Sequence, residues 1–152
     1  MAVFMTDADL LPRARSAWPA FWHARWQQTV HTQERLRDCA PPATLRVAAA
    51  NSSRLDRVCG SGWLAVGDAA LSFDPLSSQG LLHALASGLC AGTTSHRYLA
   101  GEAAALGEYA SQMDDVARAY ARLHAAYYER EQRWPQSAFW HRRCPKPSQA
   151  RG

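Results

Sequence analysis

The sequence predicts a mostly helical α/β fold that forms one part of a larger arrangement, and three observations predict it. Tyr109, Met113, Val116, Tyr120, Leu123 and Tyr127 recur at spacings of 4, 3, 4, 3 and 4, which is one side of a long helix. The elements run strand, helix, two strands, then helices. Three short strands make an unconvincing sheet, because each would keep unpaired neighbours. The expectation is therefore a part of an α/β fold whose remaining strands lie elsewhere.

In chain order, Ala2–Met5 (AVFM) reads as a short buried strand closed by Thr6-Asp7-Ala8-Asp9. Pro12 and Pro19 mark helix starts, where a missing N–H costs nothing. From Pro19 to about Arg37, Trp22, Trp26, Thr29/Val30, Gln33 and Leu36 fall at helical spacing. Ala40-Pro41-Pro42 is a break. Thr44–Ala50 (TLRVAAA) reads as a second strand and Trp63–Val66 (WLAV) as a third. A helix is expected from near Ser78 to about Tyr98, with Ala84, Ala86, Ser87, Gly88, Ala91 and Gly92 small enough for close packing. The tyrosine-rich helix follows until Pro135 interrupts it. Its near-heptad spacing reads as a helix laid on its own domain rather than as a coiled coil. Residues 1–143 are expected to form one partial domain, and 144–152 (CPKPSQARG) a disordered tail.

Bulk properties bound the function. Hydrophobic residues are 47% and charged residues 20%, ordinary for a globular protein. The net charge of +4 comes almost wholly from arginine, since Lys146 is the only lysine. The basic residues are spread from Arg13 to Arg151 among acidic ones, without the stripe a nucleic-acid binder gathers. No run reaches the roughly 18 apolar residues that span a bilayer. Residues 1–11 lack a basic start followed by an apolar run. Neither nucleic acid nor membrane is expected as a partner. Cys39, Cys59, Cys90 and Cys144 show no CxxC spacing and the six histidines no HExxH, so no metal site is expected. Free thiols suit a reducing cytoplasm.

The chemistry concentrates in Gly62–Ala91. A strand delivers Gly67-Asp68 at its C-terminal end, where glycine lets backbone approach a ligand. The Asp68 carboxylate can accept hydrogen bonds from vicinal hydroxyls. Pro75 turns the chain, and Ser77-Ser78-Gln79-Gly80 opens a helix whose free N–H groups suit an electron-rich group. A flavin nucleotide presents both a polyol chain and such an edge. On residue chemistry alone, an ordinary strand–turn–helix with an Asx turn accounts for the same residues.

This stretch resembles the second FAD-binding motif of the aromatic-hydroxylase-like flavoproteins, which include group A monooxygenases and tryptophan-type halogenases. The matching residues are the strand Trp63–Val66, Gly67-Asp68-Ala69-Ala70, Pro75 and Gly80. The resemblance implies FAD as cofactor, Asp68 at its ribityl chain, and Pro75, Ser78, Gln79, Gly80 and Leu81 near the isoalloxazine. The form Phe73-Asp74-Pro75-Leu76-Ser77-Ser78-Gln79-Gly80 is similar to the branch holding halogenases and the flavoproteins that mature quinone-cofactor amine oxidases. So are Met5-Thr6-Asp7 and the late Tyr127-Tyr128, Glu131, Arg133-Trp134-Pro135, Phe139-Trp140 and Arg142-Arg143. The implied activity is monooxygenation or halogenation of an aromatic substrate, a small molecule or a protein-bound tryptophan.

Two departures stand out. The halogenase pattern Phe-x-x-Pro-x-x-Ser-x-Gly matches at Pro75, Ser78 and Gly80, but Ser72 sits where its phenylalanine belongs and Phe73 is one residue late. The GxGxxG loop that grips the ADP part of FAD has no counterpart, and Gly60-Ser61-Gly62 precedes a strand instead of following one. A missing N-terminal FAD-binding half is thus an expected partner, and a remnant that keeps the fold without binding flavin is the alternative. Elsewhere, Trp18, Phe21, Trp22 and Trp26 read as core packing that covers the sheet, His83 as a packed or surface histidine, Asp7 and Asp9 as caps, and Arg142-Arg143 as a solvated or ion-paired end.

Overall fold

The computed structural model describes residues 2–40 and 44–143. The expected break at Pro41-Pro42 and the tail from Cys144 lie outside the described residues. The chain divides into two units, Met1–Ala48 and Ala49–Gly152.

The first unit is helical. A 3-10 turn at Ala8–Leu10 and another at Arg15–Ala17 lead into α1, Trp18–Gln27, with Pro19 in its first turn. Asp7 is the N-cap residue of the first turn, although its side chain makes no capping bond there. The expected helix through Arg37 is two helices, because α2 covers only His31–Arg35. Side chains cause the break. Thr29 Oγ1 donates to the Trp26 carbonyl at 2.8 Å, and Gln33 Nε2 reaches the Trp26 and Gln27 carbonyls. Those carbonyls would otherwise accept from the next turn. The expected strands at Ala2–Met5 and Thr44–Ala50 do not form. A short apolar run becomes a strand only beside another strand, and none pairs with either among the described residues. The aromatic cluster packs on itself rather than covering a sheet. Trp22 stacks on Trp26 at 5.8 Å between ring centroids, and Phe4 meets Phe21 edge-on at 5.9 Å.

The second unit holds two minimal antiparallel ladders. Strand β1 (Ser53–Arg54) pairs with β4 (Leu71–Ser72), Ser53 opposite Ser72 and Arg54 opposite Leu71. Strand β2 (Cys59–Gly60) pairs with β3 (Trp63–Leu64), each only two residues long. WLAV is therefore a short rung, extended by the Ala65 N–H bond to the Val58 carbonyl at 2.8 Å. Within Gly60-Ser61-Gly62, Gly60 ends β2 and Ser61-Gly62 is the turn of this hairpin. Every described pairing is antiparallel, and the mostly helical character expected from the sequence is met.

Two long helices carry the rest. Helix α3 is Gly80–Leu99, two residues later than Ser78. It ends in a Schellman motif: Gly101 at φ +99° lets its N–H reach the Tyr98 carbonyl and the Glu102 N–H reach the Arg97 carbonyl. Helix α4 is Ala104–Glu129, and α5 is Ala138–Arg143. Helix α4 stops at Glu129, before Pro135, and in the turn that follows the Glu131 carboxylate accepts from the Arg133 N–H at 2.9 Å.

The buried stripe of α4 is Ala105, Tyr109, Met113, Tyr120 and Tyr128. The sequence pattern runs instead to Leu123 and Tyr127, which are 51% and 67% exposed. A 3.5-residue repeat drifts against the 3.6 residues of a helical turn, and over the last two turns the buried face has moved on to His124 and Tyr128. Tyr109 and Met113 pack with Val58, Ala70 and Ala91, while Tyr120 packs with Leu71 and Phe73. No helix among the described residues is long and apolar enough to cross a membrane.

This register predicts unequal stability losses in urea titrations. Met113→Ala should cost about 2–5 kcal/mol by opening a cavity, whereas Leu123→Ala should stay within about 0.5 kcal/mol, as exposed sites do. Equal losses at the two positions would rule the register out.

Candidate functional site

Gly67 sits where β3 runs out and the chain meets α3. It is buried, with φ +55°, and opens a 3-10 turn over Gly67–Ala69. Its N–H donates to Ser87 Oγ on α3 at 2.9 Å. A Cβ on Gly67 would lie 3.3 Å from the Ala84 Cβ. Glycine is thus required both by the left-handed backbone and by the closeness of α3. The turn leaves Asp68 exposed beside the first half of that helix.

The other arm reaches the same helix from its start. Phe73 and Asp74 are buried, and Asp74 caps a 3-10 turn over Pro75–Ser77 by accepting from the Leu76 N–H at 2.8 Å. Ser78 then adopts φ +54°, a left-handed backbone that is uncommon for a residue with a side chain. Gln79 is exposed, and a Cβ on Gly80 would meet nothing within 4 Å. The His83 N–H to Gln79 carbonyl bond, 2.8 Å, closes the first turn of α3. The N–H groups of Gly80, Leu81 and Leu82 therefore precede any intrahelical partner. Of the residues singled out in the sequence, Gly67 and Asp68 flank α3 from one arm, and Pro75, Ser78, Gln79, Gly80 and Leu81 form its lead-in and first turn. They line an open face. The surface hollows near Gln27–Arg37 and around Ser52, Leu71 and Tyr120 are elsewhere.

His83 is buried beneath this face, its ring edge-on to Phe73 at 4.8 Å between centroids. Burial pushes its pKa below the usual histidine value, and the Asp68 carboxylate and Gly67 backbone partly oppose the shift. Its Nε2 is buried without a hydrogen-bond partner among the described residues. The sequence spacing placed His83 one turn into the helix but could not show that it is sealed in. The carboxylate of Asp74 is the other group that sequence reading passed over. Its Oδ2 accepts from the Tyr128 hydroxyl and lies 3.4 Å from His124 Nε2. Burial and this carboxylate raise the Tyr128 pKa. Only the tyrosine spacing of α4 hinted at it, since the partner is 54 residues away.

The outer side of α3 is apolar. Leu81, Leu85 and Leu89 stand one turn apart with Leu82 beside them, and all four are 66–76% exposed. Monomeric proteins seldom leave such a contiguous apolar row in water.

A left-handed glycine packed on α3 at Ala84 and Ser87, an exposed carboxylate beside it and open N–H groups at the helix start make up the candidate site, and comparison with known proteins points to the class of FAD-dependent oxidoreductases. The chain resembles that class in sequence. FAD-dependent oxidoreductase LodB of Marinomonas mediterranea is 32% identical over 146 residues, which are 91% of this chain and 37% of the relative. The fold is similar to that of peptidyl tryptophan dihydroxylase QhpG, essential for tryptophylquinone cofactor biogenesis, with a TM-score of 0.77 and 26% identity. That likeness covers 90% of this chain and 33% of the other. The chain thus spans little more than a third of the proteins it matches. No family model matches it. The expected resemblance to aromatic-hydroxylase-like flavoproteins and to quinone-cofactor maturation is borne out.

Two measurements follow from this geometry. Gly67→Ala should destabilise the chain by about 1–2 kcal/mol from the left-handed backbone alone, and by more through its contact with Ala84. Gly62→Ala, at φ +79° in open space, should show the backbone cost without the contact. The lowered His83 pKa has a definite sign. The unfolded chain binds the proton first, so stability is full above pH ~6.5 and falls as pH drops through the unfolded value. Melting temperature measured from pH 8 to 5 should therefore decline less steeply in His83→Gln. Parallel curves would exclude a buried neutral imidazole.

Proposed function

We propose that this chain supplies the ribityl- and isoalloxazine-facing segment of an FAD-dependent oxidoreductase that acts on an aromatic substrate, with a protein-bound tryptophan side chain as the leading case. The observation that carries the reading is the convergence of Gly67-Asp68 and the Ser78–Leu81 helix start on one open face. In this reading the Asp68 carboxylate accepts hydrogen bonds from ribityl hydroxyls. The Gly80 and Leu81 N–H groups, at the positive end of α3, face the electron-rich edge of the ring system. The empty space over Gly80 admits a flat ring against the backbone, and Pro75 and Leu81 shield it from water. FAD, when bound, supplies the oxidation chemistry, and the protein positions it.

The tryptophan reading is supported by the name of the structural neighbour, a peptidyl tryptophan dihydroxylase. Hydroxylation is preferred to halogenation because Ser72 replaces the phenylalanine of the halogenase pattern. The ADP part of FAD is gripped, on this proposal, by further polypeptide carrying a GxGxxG unit, in the same or a second chain. Two facts support that step: the matched proteins are nearly three times as long as the matched region, and the leucine row of α3 has no covering layer among the described residues.

The test is an absorbance titration of the purified chain with FAD. The expected outcome is a flavin spectrum shifted on binding, with Asp68→Ala weakening affinity about tenfold or more through loss of charge-assisted hydrogen bonds. Equal affinity in both proteins would refute the role of Asp68. A chain that stays colourless alone and with a GxGxxG-bearing half added would instead support a remnant that keeps the fold without flavin.

A further inference from the structure

The segment leading into α3 is held from beneath by one face of α4. Asp74 is gripped twice. Its backbone N–H donates to the Tyr120 hydroxyl oxygen at 2.8 Å, and the same hydroxyl meets Ser52 Oγ at 2.5 Å. Its side chain accepts from Tyr128 through Oδ2, with His124 Nε2 3.4 Å away. Tyr120, His124 and Tyr128 stand at successive i+4 positions, and their rings follow one another at 5.5 and 4.4 Å. They form a ladder two turns long whose polar atoms all meet one residue.

That residue sets the turn. Asp74 Oδ1 accepts from the Leu76 N–H, and the Asp74 carbonyl accepts from the Ser77 N–H at 2.9 Å. The Ser78 N–H bonds to the Pro75 carbonyl at 3.2 Å, which delivers Ser78 into its left-handed backbone. An uncommon backbone persists only where its surroundings hold it. Asp74 is 6% exposed, and a buried carboxylate is itself tolerable only with partners. The ladder thus meets two needs at once.

We propose that Asp74 is a positioning residue, clamped by the Tyr120–His124–Tyr128 ladder of α4, that holds the Pro75–Gly80 segment in the shape that receives the ligand at the start of α3. The identity of the ligand rests on the flavin reading; the clamp is a property of this chain alone.

Amide hydrogen exchange on the full-length chain reads the clamp, and FAD titration of the same samples reads its consequence. The variants are Asp74→Asn, which keeps the shape but not the charge, and Tyr128→Phe, which removes only the hydroxyl. Tyr109→Phe is the comparison. It removes a buried hydroxyl from the same helix, one that donates to the Ala65 carbonyl at 2.7 Å. Loss of a hydrogen bond to a charged group should speed exchange of the Leu76, Ser77 and Ser78 amides about tenfold or more in both clamp variants, while Tyr109→Phe leaves them near the wild-type rate. FAD affinity should fall about tenfold in step. Turn amides as protected in the clamp variants as in wild type, or equally accelerated by Tyr109→Phe, would overturn the clamp while leaving FAD binding intact. Accelerated amides with unchanged FAD affinity would overturn its positioning role. If no form of the chain takes up FAD, accelerated amides still uphold the clamp, and the flavin reading is the one that fails.

Discussion

Three tyrosine hydroxyls on α4 do for the second unit what a sheet does for most α/β domains. Its ladders are two residues long, so much of residues 51–79 is irregular backbone beside a core, where polar groups must still be paired. Tyr109 donates to the Ala65 carbonyl, Tyr120 accepts from the Asp74 N–H, and Tyr128 donates to the Asp74 carboxylate. Each ring is buried while its hydroxyl meets a polar group. Tyrosine suits this place because it brings a large apolar body with a single polar tip. With phenylalanine at these positions the rings would still pack, and the irregular segment would lose its register against α4.

That dependence explains which features were legible in the sequence. The two long helices were, because their apolar repeats extend over several turns and no alternative period fits them. Gly67, Asp68 and the Pro75–Leu81 lead-in were legible as a unit, since glycine, proline and aspartate at turns have local consequences. The strands were not. AVFM, TLRVAAA and WLAV each satisfy the local rule for a strand, yet only WLAV finds a partner among the described residues, and only for two residues. Pairing is a non-local property that a four-residue run cannot encode. The drift of the buried stripe from Tyr127 to Tyr128 has the same origin: local spacing gives a face, whereas the neighbours decide which edge of it is covered. Asp74 read as a turn opener for this reason too. Its second role depends on Tyr128, far along the chain.

The two arms of the site divide the work differently. Gly67 is favoured by sterics, because its backbone is left-handed and a Cβ there would press on Ala84 at 3.3 Å. The Ser78 lead-in is fixed by hydrogen bonds to a buried carboxylate. Steric constraints hold whether or not a ligand is present, while a hydrogen-bonded turn can open when its partners do.

The leucine row of α3 completes the physical picture. One side of α3 is committed to the chain's own core through His83, Ser87, Ala91 and Thr94. Its other side is as apolar as a core face and meets no described residue that buries it. A helix packed on one side and apolar on the other is suited to a place between two layers, and one of those layers lies within the described residues. The N–H groups at the start of α3 therefore stand at a boundary between this unit and whatever covers the leucines. A boundary between layers is where crevices form and where cofactors are commonly held. The apolar row and the open helix start are two consequences of one placement, a helix at the edge of the described structure.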